Sequence, residues 1–106
     1  MIDQITPEQL QQLMATQSPT LVDVREVHEF RAGHVPGAIN IPLALLPVRL
    51  HELPRDAELT IICQSGNRSM QACMWLANQG RRSVNVLGGT GMWIREGKPV
   101  EAGVPA

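Results

Sequence analysis

Long apolar runs are missing from this chain: its most apolar stretch, Ala38 to Leu50, is broken by Asn40, Pro42, Pro47 and Arg49, well short of the ~20 residues that span a bilayer. Membrane crossing is thereby excluded as a reading. Charge of one sign is also missing, because nine basic residues face ten acidic ones and the pI is near 6.3. Such a balance creates no global field to recruit nucleic acid or an anionic membrane, so any anion selectivity must be local. Cysteine is scarce, with only Cys63 and Cys73, and no disulfide framework follows from two. The start, Met1-Ile2-Asp3, lacks the basic and apolar regions of a signal peptide, and together these features point to a reducing cytoplasm. Clustered histidines are absent as well: His28, His34 and His51 lie apart, so no zinc site is expected.

What is present is a single α/β domain over residues 1–106. A chain of this size buries on the order of 60–70% of its unfolded surface, enough for a core without staples. Ile5-Thr6-Pro7-Glu8-Gln9-Leu10 carries an N-cap threonine, a proline at the first helical position, a glutamine three residues on and a hydrophobic staple. A helix is predicted there, ending before Ser18-Pro19. The spacing then predicts a strand at Thr20–Val24, a short helix at Glu26–Ala32 stopped by Gly33, and a brief strand at Ala38–Ile41. One helix is expected from Leu43 to Leu53, bent or delayed by Pro47. It is followed by a strand at Leu59–Cys63, a helix from about Arg68 to Gln79, a strand at Val84–Leu87 and a short helix around Met92–Glu96. Residues 101–106 are expected to be a mobile tail. Consecutive Val, Ile and Leu in strands alternating with helices indicate a parallel sheet of about five short strands covered on both faces.

Ligands bind such sheets outside the carboxyl ends of the strands. Cys63 ends the strand Leu59-Thr60-Ile61-Ile62 and is followed at once by Gln64-Ser65-Gly66-Asn67-Arg68-Ser69. A tight turn between strand and helix leaves backbone N–H groups without helical partners, free to converge on the sulfur. Those amides, the helix dipole and the Arg68 guanidinium favour a thiolate, so the Cys63 pKa should fall below the roughly 8.5 of a free cysteine. Gly66 can take a positive φ that turns successive amides inward, although a plain turn also explains a glycine. Ser65 and Ser69 either donate hydroxyls to an anion or, more simply, cap the helix. Arg68 either holds an anionic donor or turns away to Asp23 or Glu26 and braces the loop. Arg25 faces the same choice, with bracing favoured.

The bland reading of Cys73 is inert packing. It sits between one and two turns along its helix, roughly 8 Å beyond the helix start at ~1.5 Å per residue, while a disulfide wants Cα atoms within about 7 Å. His34, in a Gly-His-Val-Pro-Gly turn, is expected to bond backbone groups, and His28 and His51 to be exposed. Trp75 and Trp93 read as packing residues.

Several blocks in register carry a family resemblance: Leu21-Val-Asp-Val-Arg-Glu26, Glu29-Phe30, Gly33-His-Val-Pro-Gly-Ala-Ile-Asn-Ile-Pro42, Cys63-Gln-Ser-Gly-Asn-Arg68, and Leu87-Gly-Gly89 with Trp93, Gly97 and Pro99-Val100. In these the chain resembles a single-domain rhodanese. The resemblance implies a rhodanese-like fold and a sulfurtransferase in which Cys63 takes a sulfane sulfur from thiosulfate or a related donor and carries it as a persulfide. It implies an active-site loop of Gln64, Ser65, Gly66, Asn67 and Arg68, supported by Asp23, Arg25 and Ser69, with no cofactor beyond that covalent intermediate. The acceptor would be a small thiol, cyanide or a protein, the last making the chain a persulfide carrier. A cysteine phosphatase or arsenate reductase is the rival, since related folds use Cys-x5-Arg around a tetrahedral oxyanion. Arg68 gives Cys-x4-Arg, one residue too tight for that pattern, and no loop offers an obvious aspartic general acid.

Overall fold

A computed structural model describes residues 1–104. It holds one five-stranded sheet, with spatial order β1-β5-β4-β2-β3 and every neighbouring pair parallel. In chain order the elements are β1 (Asp3–Ile5), α1 (Pro7–Thr16), β2 (Thr20–Asp23), α2 (Val27–Ala32), β3 (Ile39–Asn40), α3 (Leu46–Arg49), β4 (Leu59–Ile62), α4 (Asn67–Asn78), β5 (Ser83–Val86) and α5 (Gly89–Arg95). The expected parallel α/β sheet is therefore present, with β4 at its centre. No helix among the described residues is long and apolar enough to cross a membrane.

Side-chain alternation along the strands sorts the core into two layers. Val22, Leu59, Ile61 and Cys63 face one side, where Leu46 and Leu53 join Ala72, Cys73 and Leu76 of α4. Leu21, Ile62 and Val86 face the other, packed by Leu10 of α1, Phe30 of α2 and Trp93 of α5. All four residues of β4 are buried, as a strand covered on both faces requires. Each fully buried Val, Leu, Ile or Phe contributes about 1.5–3 kcal/mol relative to exposure, so the apolar runs hold the sheet and fix where β4 ends.

The helix caps follow the sequence closely at α1. The Thr6 hydroxyl accepts from the Gln9 N–H at 3.1 Å and Gln9 Oε1 accepts from the Thr6 N–H at 2.9 Å, a reciprocal capping box. Elsewhere two expectations are corrected and one strand was not expected. Leu43–Leu53 is not one helix but a 3-10 turn at Leu43–Leu45, the four-residue α3, and a second 3-10 turn at Leu50–Glu52. Pro47 explains the break, since its missing N–H and fixed φ suit only the first helical turn. The helix α5 begins at Gly89 and not near Met92, because the left-handed Gly88 (φ 70°) turns the chain straight into it. The strand β1, Asp-Gln-Ile, has no apolar run to announce it, and forms because its backbone pairs with β5 from Asp3 opposite Val84 to Ile5 opposite Val86.

The expected mobile tail is anchored where it is described. Glu101 exchanges backbone hydrogen bonds with His34 at 2.8 and 2.9 Å, and the Gly103 N–H donates to Arg31 O at 2.9 Å. Pro105 and Ala106 lie outside the described residues. His34 bonds backbone as expected, with Nδ1 2.8 Å from Phe30 O, and its ring stacks on Phe30 with centroids 3.7 Å apart. His28 and His51 are exposed. Trp93 is buried, its Nε1 donating to Pro99 O at 2.7 Å.

Candidate active site

Cys63 follows the last residue of β4 and is 1% exposed. The chain then turns through Gln64, Ser65 and Gly66 and enters α4 at Asn67, one residue earlier than expected. Gly66 is the N-cap, with φ 104°, a conformation that L side chains rarely adopt. That φ aims its N–H at the Cys63 sulfur, 3.1 Å away. The Ser69 hydroxyl stands 3.2 Å from the same sulfur. Ser69 is fully buried and does not cap the helix; its oxygen is spent on Cys63.

Burial alone pushes the Cys63 thiol up. The Ser69 hydroxyl and the N–H groups of Ser69, Gly66 and Ser65 outweigh it, and the net displacement is downward. Hydrogen bonds to the charged form are the cause, the same device by which amides hold any buried anion. Apart from the Ser69 hydroxyl the cup is built of main chain; Ser65 contributes its amide, and Asn67 opens α4 with an exposed side chain.

The cup is held from behind by the turn after β5. The Thr90 N–H donates to Cys63 O at 2.8 Å and the Gly91 N–H to Gln64 O at 3.0 Å. A Cβ on Gly89 would collide with Cys63 O and lie 2.8 Å from Gln64 O, so only glycine lets α5 approach the loop this closely. Asn85 Nδ2, from inside β5, donates to Gly66 O at 3.3 Å and to Gln4 Oε1 of β1 at 3.0 Å. Gly88 and Gly89 stand in one of the family-like blocks of the sequence, whereas Asn85, Thr90 and Gly91 carried no signal, because their roles exist only once β5 lies beside β4.

The supporting charges divide into two pairs. Asp23, fully buried, accepts from Arg25 Nε at 3.0 and 3.1 Å and from Nη2 at 2.8 Å. Arg25 also donates to Gly33 O at 2.9 Å and to Gln64 Oε1 at 3.2 Å. It is 3% exposed and braces the loop from β2, as favoured from the sequence. Asn40 Nδ2 locks this strand end by donating to the carbonyls of Asp23 and Arg25, both at 3.0 Å. Arg68 is a correction: its partner is neither Asp23 nor Glu26 but Glu29 on α2. Nη1 and Nη2 meet Oε1 and Oε2 at 2.7 and 2.9 Å. The guanidinium holds the Glu29 carboxyl down to about 2; burial opposes this and the Glu26 N–H assists it. Two charges brought together by folding leave no local spacing to read.

A cleft of about 350 Å³ opens beside the loop between Arg25, Glu29, Gln64 and Ile94. Cys73 lies elsewhere, fully buried against Ala72 and Leu76, and burial pushes its thiol up. Both cysteines are free.

The chain belongs to the rhodanese-like domain family, whose model matches residues 6–96. Among its relatives is a sulfurtransferase of Allochromatium vinosum, 41% identical over 104 residues, covering 96% of this chain and 97% of the relative. The thiosulfate sulfurtransferase GlpE of Pseudomonas syringae pv. syringae is 34% identical over 90 residues, 84% of each chain. The crystal structure of a rhodanese-related protein from Thermoplasma volcanium superposes with a TM-score of 0.86 at 36% identity, covering 93% of this chain and 97% of that one.

Proposed function

We propose that this protein is a sulfurtransferase that moves a sulfane sulfur through a persulfide on Cys63. Sulfur transfer in general is supported by the family and by relatives named for that activity. The observation that carries the finer reading is the Cys63 sulfur itself, within 3.1 Å of the Gly66 N–H and 3.2 Å of the Ser69 hydroxyl. In the first half-reaction the Cys63 thiolate attacks the outer sulfur of a donor such as thiosulfate. A new S–S bond forms, the donor's own S–S bond breaks, and sulfite departs with the electron pair. In the second, a thiol, cyanide or a protein thiolate attacks the outer sulfur of the persulfide and expels Cys63 as a thiolate. Neither step requires a general acid, because both leaving groups are stable anions, and the amides that hold the thiolate also suit the terminal sulfur of the persulfide. Cys63, Gln64, Ser65, Gly66, Asn67 and Arg68 form the substrate loop in this reading, with Ser69 on the sulfur and Asp23 and Arg25 bracing it.

Mass spectrometry of the protein after incubation with thiosulfate tests this directly. A gain of one sulfur atom on the peptide containing Cys63, removed by cyanide, is expected. Sulfite release persisting in Cys63→Ser would remove the reading.

A further inference from the structure

We propose that Glu29 sets the charge selectivity of the Cys63 loop, filling the guanidinium fork of Arg68 so that the loop's cation does not draw anionic reactants to the sulfur. The inference rests on the reading of Cys63 as the reacting group and adds the property that chooses among its donors.

Four observations carry it. Both terminal nitrogens of Arg68 are taken by Glu29, at 2.7 and 2.9 Å, leaving no terminal nitrogen of the fork unpaired. The carboxylate is not free to drift: Glu29 Oε1 also accepts from the Glu26 N–H at 3.0 Å, in the capping box that starts α2. The pair is open to solvent, Arg68 being 35% and Glu29 25% exposed, so an incoming anion reaches the guanidinium only in competition with an anchored carboxylate. Arg25 offers no substitute, because its charge is closed off at 3% exposure and matched by Asp23. Arg25 and Arg68 are thus each matched by a carboxylate, and an anion entering the loop meets amide dipoles and the Ser69 hydroxyl. Glu26 lies near enough for its charge to act on Arg68 but makes no hydrogen bond to it, which separates a paired carboxylate from a merely nearby one.

Alkylation of Cys63 by iodoacetate and by iodoacetamide at low ionic strength reads this selectivity without any sulfur transfer, since the two reagents differ by one negative charge. In Glu29→Gln the ratio of iodoacetate to iodoacetamide rate should rise about fivefold, the order expected of one unit charge acting through partly solvated surroundings. Glu26→Gln should move it far less. Combining Glu29→Gln with Arg68→Gln should return the ratio to the wild-type value, because the freed charge is then gone. The KM for thiosulfate should fall in Glu29→Gln in parallel. Glu29→Ala, which removes the acceptor altogether, should give the same rise and serves if Gln at this position disturbs the start of α2. An unchanged ratio in folded Glu29→Gln and Glu29→Ala, or a rise that survives loss of Arg68, overturns the proposal. A wild-type Cys63 that reacts with iodoacetamide no faster than a free thiol overturns the prior reading of the site, a result distinct from any change in the ratio.

Discussion

Cys63 and Cys73 are both free, both essentially without solvent exposure, and both part of the apolar cluster between the sheet and α4. Their thiols are nevertheless displaced in opposite directions, Cys63 down and Cys73 up. Burial acts the same way on both and raises each. The difference is the supply of unspent hydrogen-bond donors. At the loop the amides of Ser65, Gly66 and Ser69 and the Ser69 hydroxyl turn toward the sulfur, whereas Cys73 lies inside α4, where helix amides bond within the helix and the Ser83 side chain alone opposes burial. Burial is the largest single influence on each thiol, and the direction of the net displacement follows from where secondary structure leaves its donors.

The contrast is broken most completely at the sulfur. Cys63→Ser should abolish sulfite release from thiosulfate, since an alcohol is un-ionised at neutral pH. Cys73→Ala should leave turnover within a few-fold, with a stability cost on the order of 1 kcal/mol for the lost buried sulfur; equal losses in both variants would erase the distinction. Next in size is Gly89→Ala. Its φ of 56° and the contact with the carbonyls of Cys63 and Gln64 should cost about 1–3 kcal/mol in chemical denaturation and slow Cys63 alkylation, because α5 must retreat from the loop. Ser69→Ala is comparable in size and sharper. Removing a hydroxyl bonded to a charged group, worth about 1.5–3 kcal/mol, should shift the pH midpoint of Cys63 alkylation upward while Cys73 stays protected until unfolding. Peptide mapping of labelled protein against pH distinguishes the two thiols.

The smallest expected effect concerns acid. Glu29 has a folded pKa of about 2, below its ordinary value of 4.5, so its contribution to stability is fully present above about pH 4.5 and is lost as pH falls toward 2. The pair is a quarter to a third exposed, and solvent screening reduces its worth to about 1 kcal/mol or less. Glu29→Gln should therefore flatten the acid limb of the stability curve slightly, as followed by circular dichroism in urea between pH 2 and 6. A steeper limb in the variant would contradict the assigned ion pair.

The sequence was informative wherever physics is local. The apolar runs at Thr20–Asp23 and Leu59–Ile62, the capping box at Thr6 and the strand-cysteine-glycine-helix order could all be read directly, because each depends on neighbours within a few positions. It was uninformative where a partner arrives from far along the chain. Arg68 finds Glu29 across 39 positions and Asn85 finds Gln4 across 81, and neither pairing leaves a periodicity. The three-residue β1 is hidden for the same reason, since its conformation is imposed by β5. The broken helix at Leu43–Leu53 is an intermediate case: Pro47 signalled an interruption but not that 3-10 turns would flank it on both sides.

The pairing of β1 with β5 has a kinetic side. Asp3 to Ile5 are made well before their partner and have no strand to join until Val84 to Val86 emerge, and closing so long a loop carries its entropic cost before any contact rewards it. The outer edge of β5 therefore stays open during synthesis while the inner strands can already assemble. Gln4 rides on that same late-docking strand and completes the bond to Asn85 behind Gly66. Docking of β1 and completion of the hydrogen bonds behind Gly66 thus fall at one stage of assembly, after β5 has formed.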